Sequence, residues 1–168
     1  MALIRGVEHK LKNFQDLLEI LSDLRKEGKK IVWTNGVFDI LHKGHVRHLM
    51  SCKAQDNEVL VVGLNSDSSA RELKGPDRPK MPEDERAEII SALGCVDYVT
   101  IFRELSPAKH IEAIKPEIYA KGEYNLETMN QEERKIVEGY EGKIIFTGDK
   151  VNSTTDIINK IRADNKNK

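Results

Sequence analysis

Two histidines flank one glycine in the segment His42-Lys43-Gly44-His45, and imidazole rings at this spacing can donate hydrogen bonds to phosphate oxygens. A short apolar run precedes the segment, and a helical pattern follows it from His45. A glycine-containing loop between a strand and a helix presents backbone N–H groups and the positive end of the helix dipole to an anion. The glycine lets the backbone come close to the ligand. The pattern therefore predicts a phosphate-binding loop rather than two surface histidines near a turn.

A second segment whose residues could bind a ligand runs from Lys74 to Pro82. It contains three prolines, one glycine and three basic residues. Its proline content predicts a loop, and its basic residues indicate contact with an anion. Farther along the chain, the hydroxyl groups of Ser153, Thr154 and Thr155 precede an apolar helical pattern. They can cap that helix, and a capped helix N-terminus can also hold a phosphate.

Composition bounds the class of protein. The chain has 168 residues with a net charge of −1, which suits one domain over 1–168 and gives no basic field for nucleic acid. No apolar run approaches the length of a membrane span, and the N-terminal residues lack a signal-peptide core. The two cysteines form no C-x-x-C pair or disulfide framework. We therefore expect a cytoplasmic protein that binds neither nucleic acid nor membrane.

Strand and helix patterns alternate along the chain, which predicts an α/β domain with a mostly parallel sheet. An apolar stripe predicts a helix over 13–27 that packs on a core of about 29–162, or that forms a dimer face. Five strands are expected at 31–34, 58–64, 97–102, 117–120 and 143–147. Helices are expected at 45–54, 83–93, 107–114 and 127–140, with a short helix that ends at 73 and another that begins after 153. The helix at 127–140 is expected to be largely exposed, and the tail at 163–168 is expected to fray.

The stretch T-N-G-V-F-D-I-L-H-K-G-H resembles the HxGH nucleotidyltransferases of the cytidylyltransferase-like family, and above all the branch of D-glycero-D-manno-heptose 1-phosphate adenylyltransferases. The resemblance covers residues 29–162. It continues through the blocks Val62–Asp67, Leu73–Pro79, Glu85-Arg86, Val96–Val99, Lys121-Gly122 and Ser153–Thr155. It implies a Rossmann-like five-stranded parallel sheet with helices on both faces, whose ligands bind beyond the carboxyl ends of the strands.

The resemblance also implies a reaction: transfer of AMP from ATP to heptose 1-phosphate, giving ADP-heptose for lipopolysaccharide and releasing pyrophosphate. A phosphate monoester is largely ionised near neutral pH, so the nucleophile needs no general base. The difficulty is electrostatic, because two anions must meet. Mg²⁺ is the expected cofactor and is expected mainly on the phosphates, with no protein ligand assigned.

The resemblance places three sets of residues at the site. The catalytic set is His42, His45, Lys74 and Arg78. The nucleotide-binding set is Thr34, Asn35, Gly36, Val37, Phe38, His42, His45, Lys121, Gly122, Ser153, Thr154 and Thr155. The substrate-binding set is Asp39, Asn65, Asp67, Lys74, Arg78 and Arg86.

Some of these residues have more than one interpretation. Lys74 and Arg78 are expected to bridge the triphosphate and the sugar phosphate. Arg86 matches a family arginine near the substrate phosphate, but it can equally pair with neighbouring acids. Asp39 is expected first to orient its loop, with placement of Mg²⁺ through water as the alternative. Asp67 can accept hydroxyl groups of the sugar. His48 has no motif around it and is interpreted as a surface or packing residue.

Two departures from the family pattern keep alternatives open. Where the heptose branch has K-G-G-D-Y, this chain has Lys121-Gly122-Glu123-Tyr124-Asn125, beside the expected base pocket. The same fold with CTP and glycerol 3-phosphate, or another small phosphate, is therefore the alternative reaction. A nucleotide-binding regulatory module without catalysis is disfavoured by the intact histidines. The family domain is often fused to a sugar kinase, so a separate kinase is expected upstream, and the family tendency predicts a homodimer.

Overall fold

A computed structural model describes residues 7–122, 125–147 and 153–166 of the chain. The strands are β1 (Lys30–Gly36), β2 (Glu58–Asn65), β3 (Tyr98–Phe102), β4 (Ile118–Lys121) and β5 (Lys143–Phe146). The helices are α1 (Phe14–Lys26), α2 (Lys43–Ser51), α3 (Asp67–Lys74), α4 (Glu83–Ser91), α5 (Ala108–Ile114), α6 (Gln131–Gly139) and α7 (Thr154–Lys166).

The five strands form one sheet in the order β3-β2-β1-β4-β5, and every neighbouring pair is parallel. The predicted Rossmann-like parallel sheet is therefore confirmed. The strand order reverses direction between β1 and β4, because the chain builds outward from β1 on one side and then returns to its other side. In open sheets of this type, the crevice for a ligand opens at the carboxyl ends of the strands beside that reversal.

A hydrophobic core covers each face of the sheet, because side chains alternate between the faces along a strand. In β2, Leu60 and Val62 join the core that includes Leu49 of α2 and Ile90 of α4. The intervening Val59 and Val61 join the second core, with members from α1, α5 and α6. Gly63 makes the close packing possible, since a Cβ there would lie 2.3 Å from the Trp33 ring. Helices on both faces were predicted and are confirmed.

Helix α1 begins after Asn13, whose side chain accepts a hydrogen bond from the backbone N–H of Asp16. Its apolar stripe packs against the sheet, where Leu17 and Leu21 are fully buried. The stripe is thus used inside the fold, which removes it as the motive for a dimer face. The homodimer stays a prediction that rests on the family tendency. Before the helix, Leu11 forms a bridge with Val99 that extends the β3 edge.

The structure corrects several predicted boundaries. Helix α2 begins at Lys43 rather than His45, because the His42 side chain caps it. Helix α6 begins at Gln131 rather than near 127, since Asn130 accepts hydrogen bonds from the first turn. One side of α6 is buried, so the expectation of a largely exposed helix is wrong on that side. Helix α7 continues to Lys166, through most of the tail that was expected to fray. In the described ranges, no helix is long and apolar enough to cross a membrane.

Candidate active site

A cavity of about 490 Å³ opens at the carboxyl ends of β1, β4 and β5. Its lining comes from the turn after β1, the start of α2, the proline-rich loop and the start of α7. The lining residues are Asn35, Gly36, Val37, Phe38, Asp39, His42, Gly44, His45, His48, Lys74, Arg78, Gly122, Thr147, Ser153, Thr154 and Thr155. All four residues of the predicted catalytic set are therefore brought to one cavity, with most of the predicted nucleotide-binding set.

His42 lies at the first turn of α2 and caps it. Its Nδ1 accepts a hydrogen bond from the backbone N–H of Gly44 at 3.1 Å. A ring nitrogen that accepts carries no proton, so the neutral ring of His42 has its proton on Nε2. The cap therefore selects the tautomer in which Nε2 is a hydrogen-bond donor.

His45 stacks on His42, with the ring centroids 3.8 Å apart. Burial, with smaller contributions from the nearby His42 and His48, lowers the pKa of His45 from its usual 6.5 to about 4. Its Nδ1 is buried and finds no hydrogen-bond partner within the part of the chain that the structure describes. His45 is therefore neutral at pH 7 before a ligand binds, and it can donate a hydrogen bond without contributing a full positive charge.

The turn after β1 brings the histidines to the sheet edge through a strained residue. Phe38 has a φ of 46°, in the left-handed region that side chains with a Cβ rarely adopt. Its ring covers Gly36, where a Cβ would lie 3.1 Å from the phenyl carbons. The ring also meets His45 edge-on, at a centroid distance of 5.1 Å. Phe38 thus contributes shape to the cavity and holds the His45 ring in place.

Asp39 connects the proline-rich loop to this turn. One carboxylate oxygen accepts the backbone N–H groups of Lys80 and Met81, at 2.6 and 3.1 Å. The other forms an ion pair of 2.5 Å with Arg78. Arg78 also donates to the hydroxyl of Thr155 at the start of α7, at 3.1 Å. The predicted structural role of Asp39 is what its contacts support.

Two helix N-termini, those of α2 and α7, meet at the cavity and turn the positive ends of their dipoles toward it. The Thr154 hydroxyl donates to the backbone carbonyl of Ile40 at 3.3 Å, which ties the start of α7 to the turn after β1. Lys74 is exposed at the rim. The only carboxylate among the lining residues that the structure describes is Asp39, which Arg78 neutralises. The cavity is therefore suited to an anion.

Arg86 does not reach the cavity. Its side chain has no exposed surface, and its donors are used within the fold. They bond the backbone carbonyls of Met81, Val37 and Asn65 at 2.6 to 2.9 Å and the Asp67 carboxylate at 2.6 Å. The predicted substrate contact of Arg86 is corrected on this ground, and its predicted alternative, pairing with an acid, is what the structure has.

Four other predicted residues lie outside the cavity lining. Asn65 is buried and donates to Ser69 at 3.2 Å, while Asp67 is engaged by Arg86. The Lys121 ammonium bonds the Tyr119 hydroxyl at 3.0 Å and the Glu133 carboxylate at 3.2 Å below the cavity.

The fourth is Thr34, whose hydroxyl is 2.8 Å from Nε2 of His48. The base-pocket loop includes residues 123 and 124, which lie outside the described residues.

His48 and Thr147 line the cavity, and sequence analysis missed both. The His48 ring joins the ends of β1 and β5, with Nε2 on the Thr34 hydroxyl and Nδ1 on the Thr147 hydroxyl. Burial lowers the pKa of His48. A faint signal was present, since position 48 follows His45 by three and shares its helix face. Nothing in the sequence shows, however, that distant Thr34 and Thr147 converge on it.

The described residues contain no group of three His, Cys, Asp or Glu side chains placed to hold a metal ion. Asp39 is the one carboxylate among the described lining residues, and its oxygens already accept hydrogen bonds from Arg78 and from two backbone N–H groups. The donor set of the cavity therefore fits a metal that arrives on a triphosphate and takes its ligands from phosphate oxygens and water.

Comparison with known proteins agrees with this geometry. The profile of the cytidylyltransferase-like family matches residues 33–160. The protein named bifunctional protein HldE from Geobacter metallireducens is 47% identical over 154 residues, which is 90% of this chain and 31% of that relative. The protein of the same name from Trichlorobacter lovleyi is 44% identical over 161 residues, which is 94% of this chain and 32% of the relative. The chain thus spans about a third of the length of these curated relatives.

Solved structures show the same fold. The lipopolysaccharide core biosynthesis protein from Thermoplasma volcanium superposes with a TM-score of 0.60 at 29% identity, covering 73% of this chain and 98% of that one. The pantoate-beta-alanine ligase from Francisella tularensis superposes with a TM-score of 0.60 at 17% identity, covering 86% of this chain and 68% of that one. At that identity, the ligase supports the fold alone.

Proposed function

The chain belongs to the cytidylyltransferase-like family and is a nucleotidyltransferase, and we propose that it transfers AMP from ATP to heptose 1-phosphate, giving ADP-heptose and pyrophosphate. The observation that carries this proposal is the cavity itself. It joins the stacked pair His42 and His45 to Arg78 and to the N-termini of two helices. These groups can bind phosphate, and the reaction needs no general base because its nucleophile is already ionised.

In the proposed reaction, a phosphate oxygen of the sugar phosphate attacks the α-phosphorus of ATP, and the bond from that phosphorus to the bridging oxygen of pyrophosphate breaks. Negative charge builds on the phosphate oxygens as this happens. His42 donates from Nε2, because its Nδ1 is occupied by the helix cap. His45 donates from a ring that burial keeps neutral in the absence of ligand. The approaching charge strengthens both hydrogen bonds in the transition state more than in the ground state.

Arg78 and Lys74 supply the full positive charges in this proposal. Arg78 is held between Asp39 and Thr155, so its planar guanidinium is already oriented when the ligand enters. Lys74 is exposed at the rim, where a flexible ammonium can follow a phosphate from solvent. Ser153 and Thr154, at the start of α7, line the cavity and are assigned to the β- and γ-phosphates, because a helix N-terminus presents backbone N–H groups to an anion. Gly122 lines the cavity on the side of β4 and is assigned to the nucleotide.

Nucleotidyltransferases generally use a divalent metal with the nucleoside triphosphate. We assign Mg²⁺ to that role and place it on the phosphate oxygens, because the cavity lining offers no free carboxylate among its described residues. The metal would neutralise charge on the triphosphate and favour departure of pyrophosphate.

The choice of ATP and heptose 1-phosphate rests on the sequence blocks Asn65-Ser66-Asp67 and Leu73–Pro79, which match the adenylyl-heptose branch. The solved relative at 29% identity carries lipopolysaccharide core biosynthesis in its name, and we assign the product to such a pathway. A sugar kinase activity is expected to supply the sugar phosphate, as the bifunctional relatives' name is compatible with two activities.

One feature favours a second candidate reaction. The segment Lys121–Asn125 departs from K-G-G-D-Y of the heptose branch and lies beside the expected base pocket. A pocket that reads a base through hydrogen bonds discriminates strongly, because the wrong base leaves buried polar groups unpaired. A changed loop can therefore select CTP, with glycerol 3-phosphate or another small phosphate as the acceptor.

The test is pyrophosphate release over a grid of substrates. ATP, CTP, GTP and UTP are each combined with heptose 1-phosphate or glycerol 3-phosphate at fixed Mg²⁺. The proposal predicts the highest kcat/KM for ATP with heptose 1-phosphate. A preference for CTP of about tenfold or more would replace it with the cytidylyltransferase reaction, since tenfold is about 1.4 kcal/mol in transition-state binding.

A further inference from the structure

The Tyr119 hydroxyl, fully buried between β4 and α6, has already used its only proton. Its oxygen lies 2.6 Å from the Glu133 carboxylate, which is paired with Lys121 and can only accept, so the tyrosine donates there. The Lys121 ammonium can only donate, and it occupies one lone pair of the tyrosine oxygen at 3.0 Å. Toward any further neighbour, the Tyr119 oxygen is therefore an acceptor.

The further neighbour is Asn35, near the end of β1. One end of its carboxamide lies 2.9 Å from the Tyr119 oxygen. A turn of 180° exchanges the donor and acceptor ends of a carboxamide, so its hydrogen bonds decide which atom is where. Donation from the tyrosine to Oδ1 would need a second proton, and two oxygens without a proton between them repel. The end that meets Tyr119 is therefore the donor Nδ2, and Oδ1 occupies the other end.

Oδ1 of Asn35 is then an acceptor available to a ligand. Asn35 is half-buried and lines the cavity, and its side chain bonds only Tyr119 within the ranges that the structure describes. The unbonded end of the carboxamide is not among the buried polar atoms that lack a partner, so a ligand can reach it. An amide oxygen binds N–H and O–H donors, whereas it repels phosphate oxygens, which are acceptors too.

Asn35 also reaches the cavity from a different side of the sheet than the two histidines do. Side chains alternate along β1, so Asn35 shares the face of Trp33, whose core includes members from α1, α5 and α6. His42 and His45 lie at the start of α2, which packs on the opposite face through Leu49. A nucleotide whose phosphates contact the histidines can therefore present its nucleoside part to Asn35.

We propose that Asn35 is a specificity-determining residue whose Oδ1 accepts a hydrogen bond from the nucleoside part of the nucleotide, with Tyr119 holding the carboxamide in that orientation. Two nucleoside groups supply such a donor, the exocyclic amine of the base and a ribose hydroxyl. The phosphates supply none. The inference rests on the proposed function, because it needs a nucleotide in this cavity.

The experiment removes the donor from the ligand and the acceptor from the protein, separately and together. Binding of ATP and of CTP, each with Mg²⁺, is measured by titration calorimetry, and the tighter of the two is the parent ligand. Three analogues of the parent are then titrated: one with hydrogen in place of the exocyclic amine, one 2′-deoxy and one 3′-deoxy. Each is titrated into the wild-type protein and into Asn35→Leu, which keeps a similar side-chain shape without polar atoms.

We expect Asn35→Leu to bind the parent about 3- to 10-fold more weakly than wild type does, as for the loss of one hydrogen bond. At least one analogue should bind the wild type more weakly by a similar factor. The same analogue should bind Asn35→Leu within about twofold of the parent, because the bond is already lost. If it is the amine-free analogue, Asn35 contacts the base, and if it is a deoxy analogue, Asn35 contacts the ribose. Pyrophosphate with Mg²⁺ has no such donor and should bind both proteins within about twofold.

Tyr119→Phe tests the orienting role, because it removes the oxygen that holds Nδ2 and leaves the Lys121–Glu133 pair in place. We expect weaker binding of the parent than in wild type, by a smaller factor than in Asn35→Leu, with pyrophosphate binding unchanged. Tyr140→Phe is the matched control, since its buried hydroxyl has no hydrogen-bond partner among the described residues. It should bind the parent as the wild type does. Thermal unfolding of each variant separates altered binding from a damaged fold, and Asn35→Ala takes the place of Asn35→Leu if the latter does not fold.

Three results would overturn the inference. The first is that no analogue loses its effect in the position-35 variant. The second is that this variant weakens pyrophosphate binding as much as binding of the parent, which would place Asn35 on the phosphates. The third is wild-type binding of the parent by Tyr119→Phe. Failure of the wild-type protein to bind either triphosphate would instead overturn the proposed function, and the inference with it, so the wild-type titration alone distinguishes the two failures.

Discussion

Arg78 and Arg86 are predicted from the sequence to contact substrate phosphate, and the structure gives them different surroundings. Arg78 lies at the cavity with part of its side chain exposed, between Asp39 and Thr155. Arg86 is fully buried and bonds three backbone carbonyls and one carboxylate. One arginine is available to a ligand, whereas the other is consumed by the fold.

The two guanidinium groups differ in the acceptors that they bond. Arg86 donates to carbonyl groups at the ends of β1 and β2 that the sheet and helices leave unpaired. It therefore connects the two strand ends beneath the cavity. Arg78 is oriented by side chains, and removing it exposes no unpaired carbonyl. A positive charge near a phosphate site is therefore not evidence of phosphate binding until its existing partners are known.

The largest effect is expected from Arg86→Ala, because it leaves buried carbonyl groups and a carboxylate without their donor. We expect the free energy of unfolding to fall by about 3–5 kcal/mol, as for other broken buried pairs. Denaturant titration measures it. Arg86→Lys should recover little, since one ammonium cannot reach the same acceptors. A stable Arg86→Ala protein that has lost only turnover would return Arg86 to the substrate.

His45→Ala should act on the reaction and not on the fold. We expect kcat to fall by about 10²–10³-fold, as for the loss of one donor to developing charge. The Kd for ATP should change far less, because the hydrogen bond matters most in the transition state. Single-turnover rates and titration calorimetry separate the two quantities. Near-normal kcat in a folded variant would rule out this role.

Acid should destabilise the folded protein through the buried ring of His45. The pKa of His45 is about 4 in the folded protein and about 6.5 when unfolded, so folding disfavours its protonation. Stability should therefore be complete above pH 6.5 and should decline as the pH falls toward 4. His48, whose pKa is also lowered, adds to the decline. Urea titrations at several pH values should show a smaller decline in His45→Ala, and an equal decline would contradict the assignment.

Arg78→Ala should have the opposite effect to Arg86→Ala. Its effect on kinetics should be larger than its effect on the free energy of unfolding. Loss of a charged hydrogen bond to a phosphate predicts a fall in kcat/KM of roughly 10- to 150-fold. Asp39 keeps two backbone N–H donors, so the loss of stability should be smaller than for Arg86→Ala. Steady-state kinetics and denaturant titration check both halves. Wild-type kinetics would place the sugar phosphate elsewhere.

Lys74→Ala should have the smallest effect. The side chain is exposed, so its interaction with phosphate is screened by solvent and is worth about 1 kcal/mol or less. We expect a rise of up to about fivefold in the KM for one of the two phosphate substrates, greater at low salt than at high salt. The unfolding transition should not move. A fall in kcat as large as for Arg78→Ala would make Lys74 a second pre-oriented cation.

The sequence predicts the fold better than the site. Hydrophobic periodicity can be read from neighbouring residues, whereas the burial of a single polar side chain depends on residues that are distant in the sequence. Alternating strand and helix patterns were enough to predict five strands in a mostly parallel sheet. The boundary errors arise from side-chain caps: His42 moves the start of α2, and Asn130 moves the start of α6. Each cap is a hydrogen bond that hydrophobic periodicity does not contain.

At the site, the family resemblance indicated His42, His45, Lys74 and Arg78, and the structure brings all four to one cavity. His48 could not be recognised in this way, because its ring is held by Thr34 of β1 and by Thr147, which follows β5. The position of the Lys121 side chain could not be recognised from the sequence either. Its charge is directed by Glu133 of α6 away from the cavity lining, a contact that the sequence near β4 does not indicate.

The most direct test of the proposed reaction follows labelled phosphorus. Wild-type protein is incubated with heptose 1-phosphate, Mg²⁺ and ATP labelled either at the α- or at the γ-phosphorus, and the products are separated. The account predicts that the α label appears in a sugar nucleotide and the γ label in pyrophosphate. A γ label on the sugar phosphate, or an α label found only in free AMP, would contradict it.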